Sequence, residues 1–223
     1  MFQFQNIWFP DGEKHFPEWM ARNGEIVNGK GTYQIKKLRE AMKHVKQFRR
    51  AIDVGAHVGL WSMHLQPRFE FLDAFEPVRE FRECWILNMQ GRTSSCYLSD
   101  VALGAAVGRI AMRVNWADTG GTFAVSAEGV DPIHTVQMKP LDLYSFQELD
   151  FIKIDCEGYE LEVLKGATET LKRCKPCVIV EQKPHKLLPN FGIKGTPAVD
   201  YLRSMGAVLR KEMGGDFIMS WDA

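Results

Sequence analysis

An acid and two glycines punctuate the apolar segment from Ala51 to Gly59 (AIDVGAHVG): Asp53 closes the run, and Gly55 and Gly59 follow it. A turn of this kind, where a buried strand passes into a helix, lies at the carboxyl edge of an open α/β sheet, where such folds bind ligands. Gly55 lets the backbone approach a ligand with no Cβ in the way, and Asp53 offers oxygens to an ammonium or to turn amides. The spacing is G-x-x-x-G, and His57 stands where a dinucleotide site needs its middle glycine to reach a pyrophosphate. A zwitterionic amino-acid moiety suits this turn better. Glu76 ends the next apolar run, in Phe75-Glu76-Pro77, where a carboxylate can take both ribose hydroxyls. NAD and S-adenosylmethionine share that ribose, so Glu76 supports a nucleoside without choosing one. Asp100, Val101 and Ala102 follow a third run and offer an acid and a backbone amide to an adenine edge.

The segment from Leu149 to Ala167 (LDFIKIDCEGYELEVLKGA) is the most distinctive. Lys153 and Asp155 lie two apart in a strand and point the same way. Charges inside an apolar run cost several kcal/mol unless compensated. Two readings follow: an ion pair that fixes the strand end, or Asp155, Glu157 and Lys153 at a pocket mouth beside the reacting group. A hydroxyl nucleophile must lose its proton, and Asp155, Glu157, His57 and His185 are the candidate bases. Asp155 with Glu181 and Gln182 can alternatively hold Mg²⁺ through oxygens and acidify that hydroxyl.

The elements that position these residues alternate. Ile35, Leu38, Met42, Val45 and Phe48 recur at helical spacing and predict a helix from Gln34 to Phe48. Strands are predicted over residues 50–54, 71–75, 96–99, 151–156 and 177–181, with helices between them and a further helix from Pro197 to about Met205. Residues 109–114 and 135–138 read as extra strands, and residues 207–211 and 217–221 as a terminal hairpin across a Gly-Gly turn. The prediction is an α/β, Rossmann-like, mostly parallel seven-stranded sheet with helices on both faces and a C-terminal antiparallel β-hairpin. The hairpin favours the class I methyltransferase variant over the dinucleotide-binding one. Residues 34–223 are expected to form one such domain. Residues 1–33 read as an irregular arm whose Trp8, Asp11, His15 and Trp19 cap the substrate pocket together with Thr119-Gly120-Gly121-Thr122.

Lys and Arg number 28 and Asp and Glu 28, so no global field favours nucleic acid, which is not expected as a partner. There is no run of 18 apolar residues and no basic-then-apolar leader. The expectation is a cytoplasmic protein with no membrane span. The five cysteines are odd in number and sit mostly in apolar segments, as reduced core thiols do. Cys174 and Cys177 have redox spacing but precede a strand, and no second pair completes a zinc site.

The order DVGAHVG, FEP, VALG, FIKIDCEGYELEVLKGA and VIVEQ, over roughly Tyr33 to Glu181, resembles the FkbM family of methyltransferases. The resemblance implies S-adenosylmethionine as cofactor. Asp53, Gly55 and Gly59 would lie along its methionine part, Glu76 at the ribose and Asp100 to Ala102 at the adenine; His57 and Asp155 are read as further neighbours of the cofactor. It also implies O-methylation of a sugar or small-molecule hydroxyl, with N-methylation left open. His57 stands where asparagine is frequent in the family, and the short aromatic arm resembles compact, phage-type members. The alternatives are an NAD-dependent oxidoreductase or epimerase and a nucleoside-binding module without turnover.

Overall fold

A computed structural model describes residues 1–91, 95–125, 134–183, 192 and 194–222. Seven strands form the central sheet: β1 (Arg50–Val54), β2 (Phe71–Phe75), β3 (Cys96–Ser99), β4 (Phe151–Ile154), β5 (Cys177–Glu181), β6 (Val208–Glu212) and β7 (Asp216–Ser220). Their spatial order is β6-β7-β5-β4-β1-β2-β3. All neighbours from β5 to β3 pair in parallel, and β7 runs antiparallel to both β5 and β6. This is the mostly parallel sheet with a C-terminal hairpin that the sequence predicts. Its order reverses between β1 and β4, which makes their carboxyl ends the ligand-binding edge.

The period of two along each strand explains the two layers. Ala51 and Phe151 face one core, shared with helices α1 (His15–Asn23), α2 (Ile35–Met42), α3 (Ser62–Leu65) and α4 (Arg79–Asn88). Ile52, Val54, Ile152 and Ile154 face the other, shared with α5 (Glu160–Lys165), α6 (Thr168–Cys174) and α7 (Pro197–Ser204). Both faces of β4 and β5 are buried, hence their near-continuous apolar runs. Helix α2 stops at Met42, short of the predicted Phe48, which is exposed, although Val45 beyond it still packs against the core.

The arm is more ordered than its sequence suggests. Phe2–Phe4 pairs with Ile7–Phe9, Ile26–Val27 pairs with Lys30–Gly31, and α1 lies between the two hairpins. Strands of two or three residues are too short to display a period. Ile7, Phe9, Phe16 and Met20 are buried in the same core as β1. A second sheet of residues 102–103, 108–113, 123–125 and 134–139 stands beside the β1–β2 edge of the cavity.

No helix among the described residues is long and apolar enough to cross a membrane. All five cysteines are free.

Gly55 marks the tightest approach in the sheet. Its φ is +71°, and a Cβ there would sit 2.1 Å from the Asp155 carbonyl oxygen at the end of β4. Gly55→Ala is therefore expected to destabilise the fold by about 2 kcal/mol or more, through both the left-handed backbone and that clash. Thermal denaturation followed by circular dichroism measures the loss.

Candidate functional site

The cavity opens where β1, β2 and β4 end. It holds about 930 Å³ of open space, solvent at its mouth included. Its floor is Val54 to His57, one side Phe75 to Pro77, and the other Lys153, Asp155, Cys156 and Glu157. Phe16, Tyr33, Trp61 and Phe81 give it an aromatic upper wall, which Thr119 and Gly120 complete.

The turn after β1 is held from three directions. The Gly55 and Ala56 amides both donate to the Phe75 carbonyl, at 3.0 and 3.1 Å. The His57 amide donates to Glu76 Oε2 at 2.8 Å, and the Val78 amide to Glu76 Oε1 at 2.8 Å. Lys153 Nζ donates to the Gly55 carbonyl at 2.8 Å and the Val54 carbonyl at 3.3 Å. It also lies 3.6 Å from Asp53 Oδ1 and 3.9 Å from Asp155 Oδ2. Burial pushes the Lys153 ammonium down, but Asp53 and Asp155 outweigh it and hold the group above its ordinary value.

Several expected site residues stand elsewhere than the motif suggests. Asp53 is fully buried beneath the turn and off the cavity wall. Its Oδ2 accepts a 2.6 Å hydrogen bond from Ser62 Oγ, which fastens β1 to α3. The close approach of β4 is by itself enough to require glycine at 55, which also lines the cavity. Gly59 is also off the wall, because its missing Cβ makes room for Trp85, whose Cδ1 would be 2.8 Å away. Asp100 is exposed and outside the lining, whereas Val101 and Ala102 are in it. Gly55, His57, Glu76, Lys153, Asp155 and Glu157 do meet around one space. His185 lies outside the described residues.

Residues that local reading missed complete the picture. Glu160, 1% exposed, accepts from the Cys156 amide at 3.1 Å, the Gly158 amide at 2.9 Å and Gln182 Nε2 at 3.1 Å. It thereby shapes the turn that presents Asp155 and Glu157, whose φ of 49° is left-handed. Its place at the first turn of α5, after a glycine, was the available signal. Glu13, Phe16 and Tyr33 come from the arm and left no such trace.

Electrostatics distinguish the two acidic positions. Glu76 is pushed up to about 7 by burial, which its two backbone amides only partly offset. Glu181 is pushed up to about 8 by burial and by the nearby Asp155 and Glu157; Lys183, itself raised by their contact, pulls the other way and loses. Asp155, Glu157 and Glu181 each place an oxygen within 4.8 Å of the others. The Mg²⁺ reading fits this set poorly. Gln182 is spent on Glu160 and on the Ala198 amide at 2.9 Å. The Lys183 ammonium already contacts Glu181, and that of Lys153 flanks Asp155. Two ammoniums balance much of the charge a dication would need.

A family model described as the Methyltransferase FkbM domain matches residues 53–207. No curated protein matches the chain. Among solved structures, the FkbM methyltransferase from Methylobacillus flagellatus KT matches with a TM-score of 0.53 at 18% identity, covering 78% of this chain and 44% of that one. The chain thus spans less than half the length of that relative. The fibrillarin pre-rRNA processing protein of Methanococcus jannaschii matches with a TM-score of 0.51 at 11% identity, over 89% of this chain and 82% of that one. At these identities the likeness is one of fold.

The raised Glu76 carboxyl has a measurable consequence. A ribose held here would donate its hydroxyls to the carboxylate, so the ionised form would be the one that binds, and protonation below about pH 7 would remove it. The affinity for 5′-methylthioadenosine, which has the ribose but no titrating amino acid, is expected to fall about tenfold from pH 8 to pH 6. Glu76→Gln should bind weakly with no such slope, and isothermal calorimetry across that range checks both.

Proposed function

The chain belongs to the FkbM methyltransferase family, and from that premise we propose that it moves the methyl group of S-adenosylmethionine to a hydroxyl oxygen of a sugar or other small molecule. The observation that carries this reading is the convergence of Gly55, His57, Glu76 and Asp155 on one cavity at the β1/β4 switch point. The nucleoside lies against Glu76, Val101 and Ala102, and its methionine part lies along the turn from Gly55 to His57. The sulfonium faces Asp155 and Glu157. An anionic wall suits a ligand with a positive sulfur and an ammonium.

The methyl group is already electrophilic, so the protein's tasks are alignment and exclusion of water. The acceptor oxygen attacks the methyl carbon in line as the carbon–sulfur bond breaks and its electron pair stays on sulfur. Phe16, Tyr33 and Trp61 provide apolar faces against which an acceptor ring packs. Asp155 and Glu157 hold its hydroxyls, and Lys153 acts from below by fixing the turn. In this reading the arm and the described domain form one working unit. A dinucleotide is disfavoured because the His57 side chain occupies the wall where a pyrophosphate would lie.

Calorimetry with S-adenosylhomocysteine is expected to show one site of micromolar affinity. An absence of binding, together with binding of NAD, would overturn the reading. With a methyl-labelled donor and a panel of glycosides and phenols, the label should enter a product stable to mild alkali, as an ether is. Asp155→Asn is expected to lower that turnover by about 10² or more, the scale of a positioned catalytic carboxylate.

A further inference from the structure

A buried chain of hydrogen bonds joins the N-terminal arm to the turn after β1. Glu13 is 3% exposed and Thr119 is 1% exposed. Glu13 Oε1 accepts from the Phe16 amide at 2.8 Å, and Oε2 accepts from the Thr119 amide at 2.7 Å and from the Thr119 hydroxyl. Thr119 Oγ1 lies 2.7 Å from His57 Nε2. The His57 ring packs against Phe16 at 4.9 Å and Phe81 at 4.3 Å between centroids. Its Nδ1 is buried and has no hydrogen-bond partner among the described residues.

The direction of the protons follows from what each group can do. A carboxylate only accepts, so the single hydroxyl proton of Thr119 goes to Glu13. Thr119 Oγ1 must then accept from His57, which puts the ring proton on Nε2 and leaves Nδ1 a bare acceptor. Burial, and then the charge of Lys153, lowers the His57 pKa to about 3, so the ring stays neutral. A buried acceptor with no donor, on a residue that lines a ligand cavity, is an exception that calls for a ligand. His57 is also the residue whose backbone amide holds Glu76 at the ribose position.

We propose that Glu13 is a positioning residue for the cofactor: through Thr119 it locks His57 as the Nε2–H tautomer, so that Nδ1 receives an N–H or O–H hydrogen of bound S-adenosylmethionine. This rests on the cofactor reading above and extends the binding site into the arm, about 40 residues before the motif. The arm is then more than a cap over the acceptor. It supplies the acid that decides which way the turn's histidine presents its lone pair.

Two kinds of measurement test the lock and its ligand separately. In ¹⁵N-labelled wild-type protein without ligand, His57 should show a protonated Nε2 and a bare Nδ1. Adding S-adenosylhomocysteine should move the Nδ1 resonance towards that of a hydrogen-bonded nitrogen. Thr119→Val, which keeps the shape and loses the hydroxyl, should weaken S-adenosylhomocysteine binding about tenfold or more, and Thr119→Ser should stay within about threefold of wild type. Glu13→Gln can donate to Thr119, turn its hydroxyl towards Nε2 and move the ring proton to Nδ1. That variant should show the reversed tautomer and weak binding, and it carries the test if Thr119→Val does not fold. A protonated Nδ1 in the wild type, or wild-type affinity in both Thr119→Val and Glu13→Gln, would overturn the proposal. A wild type that shows the lock but binds neither S-adenosylhomocysteine nor S-adenosylmethionine would overturn the cofactor reading and leave the lock standing.

Discussion

The floor of the cavity is organised around one buried ammonium. Lys153 is 6% exposed in the middle of an otherwise apolar strand, and a charge there survives only if every neighbour compensates it. Asp53 and Asp155 supply the charge, and the carbonyls of Val54 and Gly55 supply the hydrogen bonds. Those carbonyls belong to the turn that lines the cavity, so the ammonium also fixes the turn's orientation. Without it, Asp53 would be left as an uncompensated buried charge, a situation worth about 3–5 kcal/mol in other proteins. The close approach of Gly55 to the Asp155 carbonyl is the backbone side of the same arrangement: β1 and β4 must end almost in contact for one side chain to bind both.

From that floor, two sets of contacts run outward. One passes through Glu160 and Gln182 to α7 and fixes the acidic wall. The other passes through Glu76, His57 and Thr119 to Glu13 and fixes the side of the cavity where Glu76 lies. Each uses a buried carboxylate that accepts several hydrogen bonds from backbone amides and fixed side chains. Such a group orients a loop without the mobility of a surface ion pair.

The sheet was legible because its signals are local. Buried parallel strands read as apolar runs, the hairpin declares itself by a Gly-Gly turn, and Glu76 and the segment from Lys153 to Glu157 fall where the strand ends place them. The parts that were not legible depend on partners far along the chain. Glu13 meets Thr119 across 106 residues and Lys153 meets Gly55 across 98, and neither contact leaves a period or a spacing. Some members of the motif also stand off the cavity wall for this reason. Asp53 looks like a ligand group in sequence, yet in a sheet buried on both faces its side chain points down to Ser62 and Lys153. Gly59 looks like a second approach glycine, yet the approaching atom is the Trp85 indole. Asp100 stands beside two lining residues but points to solvent.

The wall of Asp155 and Glu157, with Glu181 buried beside it, bears on turnover as well as on binding. Three carboxylates crowd within 4.8 Å, and burial and repulsion raise Glu181 to about 8. Lys153 and Lys183 leave the group close to balance but still able to hold one more positive charge. In the proposed reaction the sulfur enters as a sulfonium and leaves as a neutral sulfide. The wall therefore attracts the donor more strongly than the spent product, by an amount that grows as water is excluded from the cavity. A divalent metal would cancel that preference by neutralising the carboxylates permanently. The two lysines neutralise only part of it, and so the acidic cluster serves better as a place for a charge that comes and goes with the methyl group.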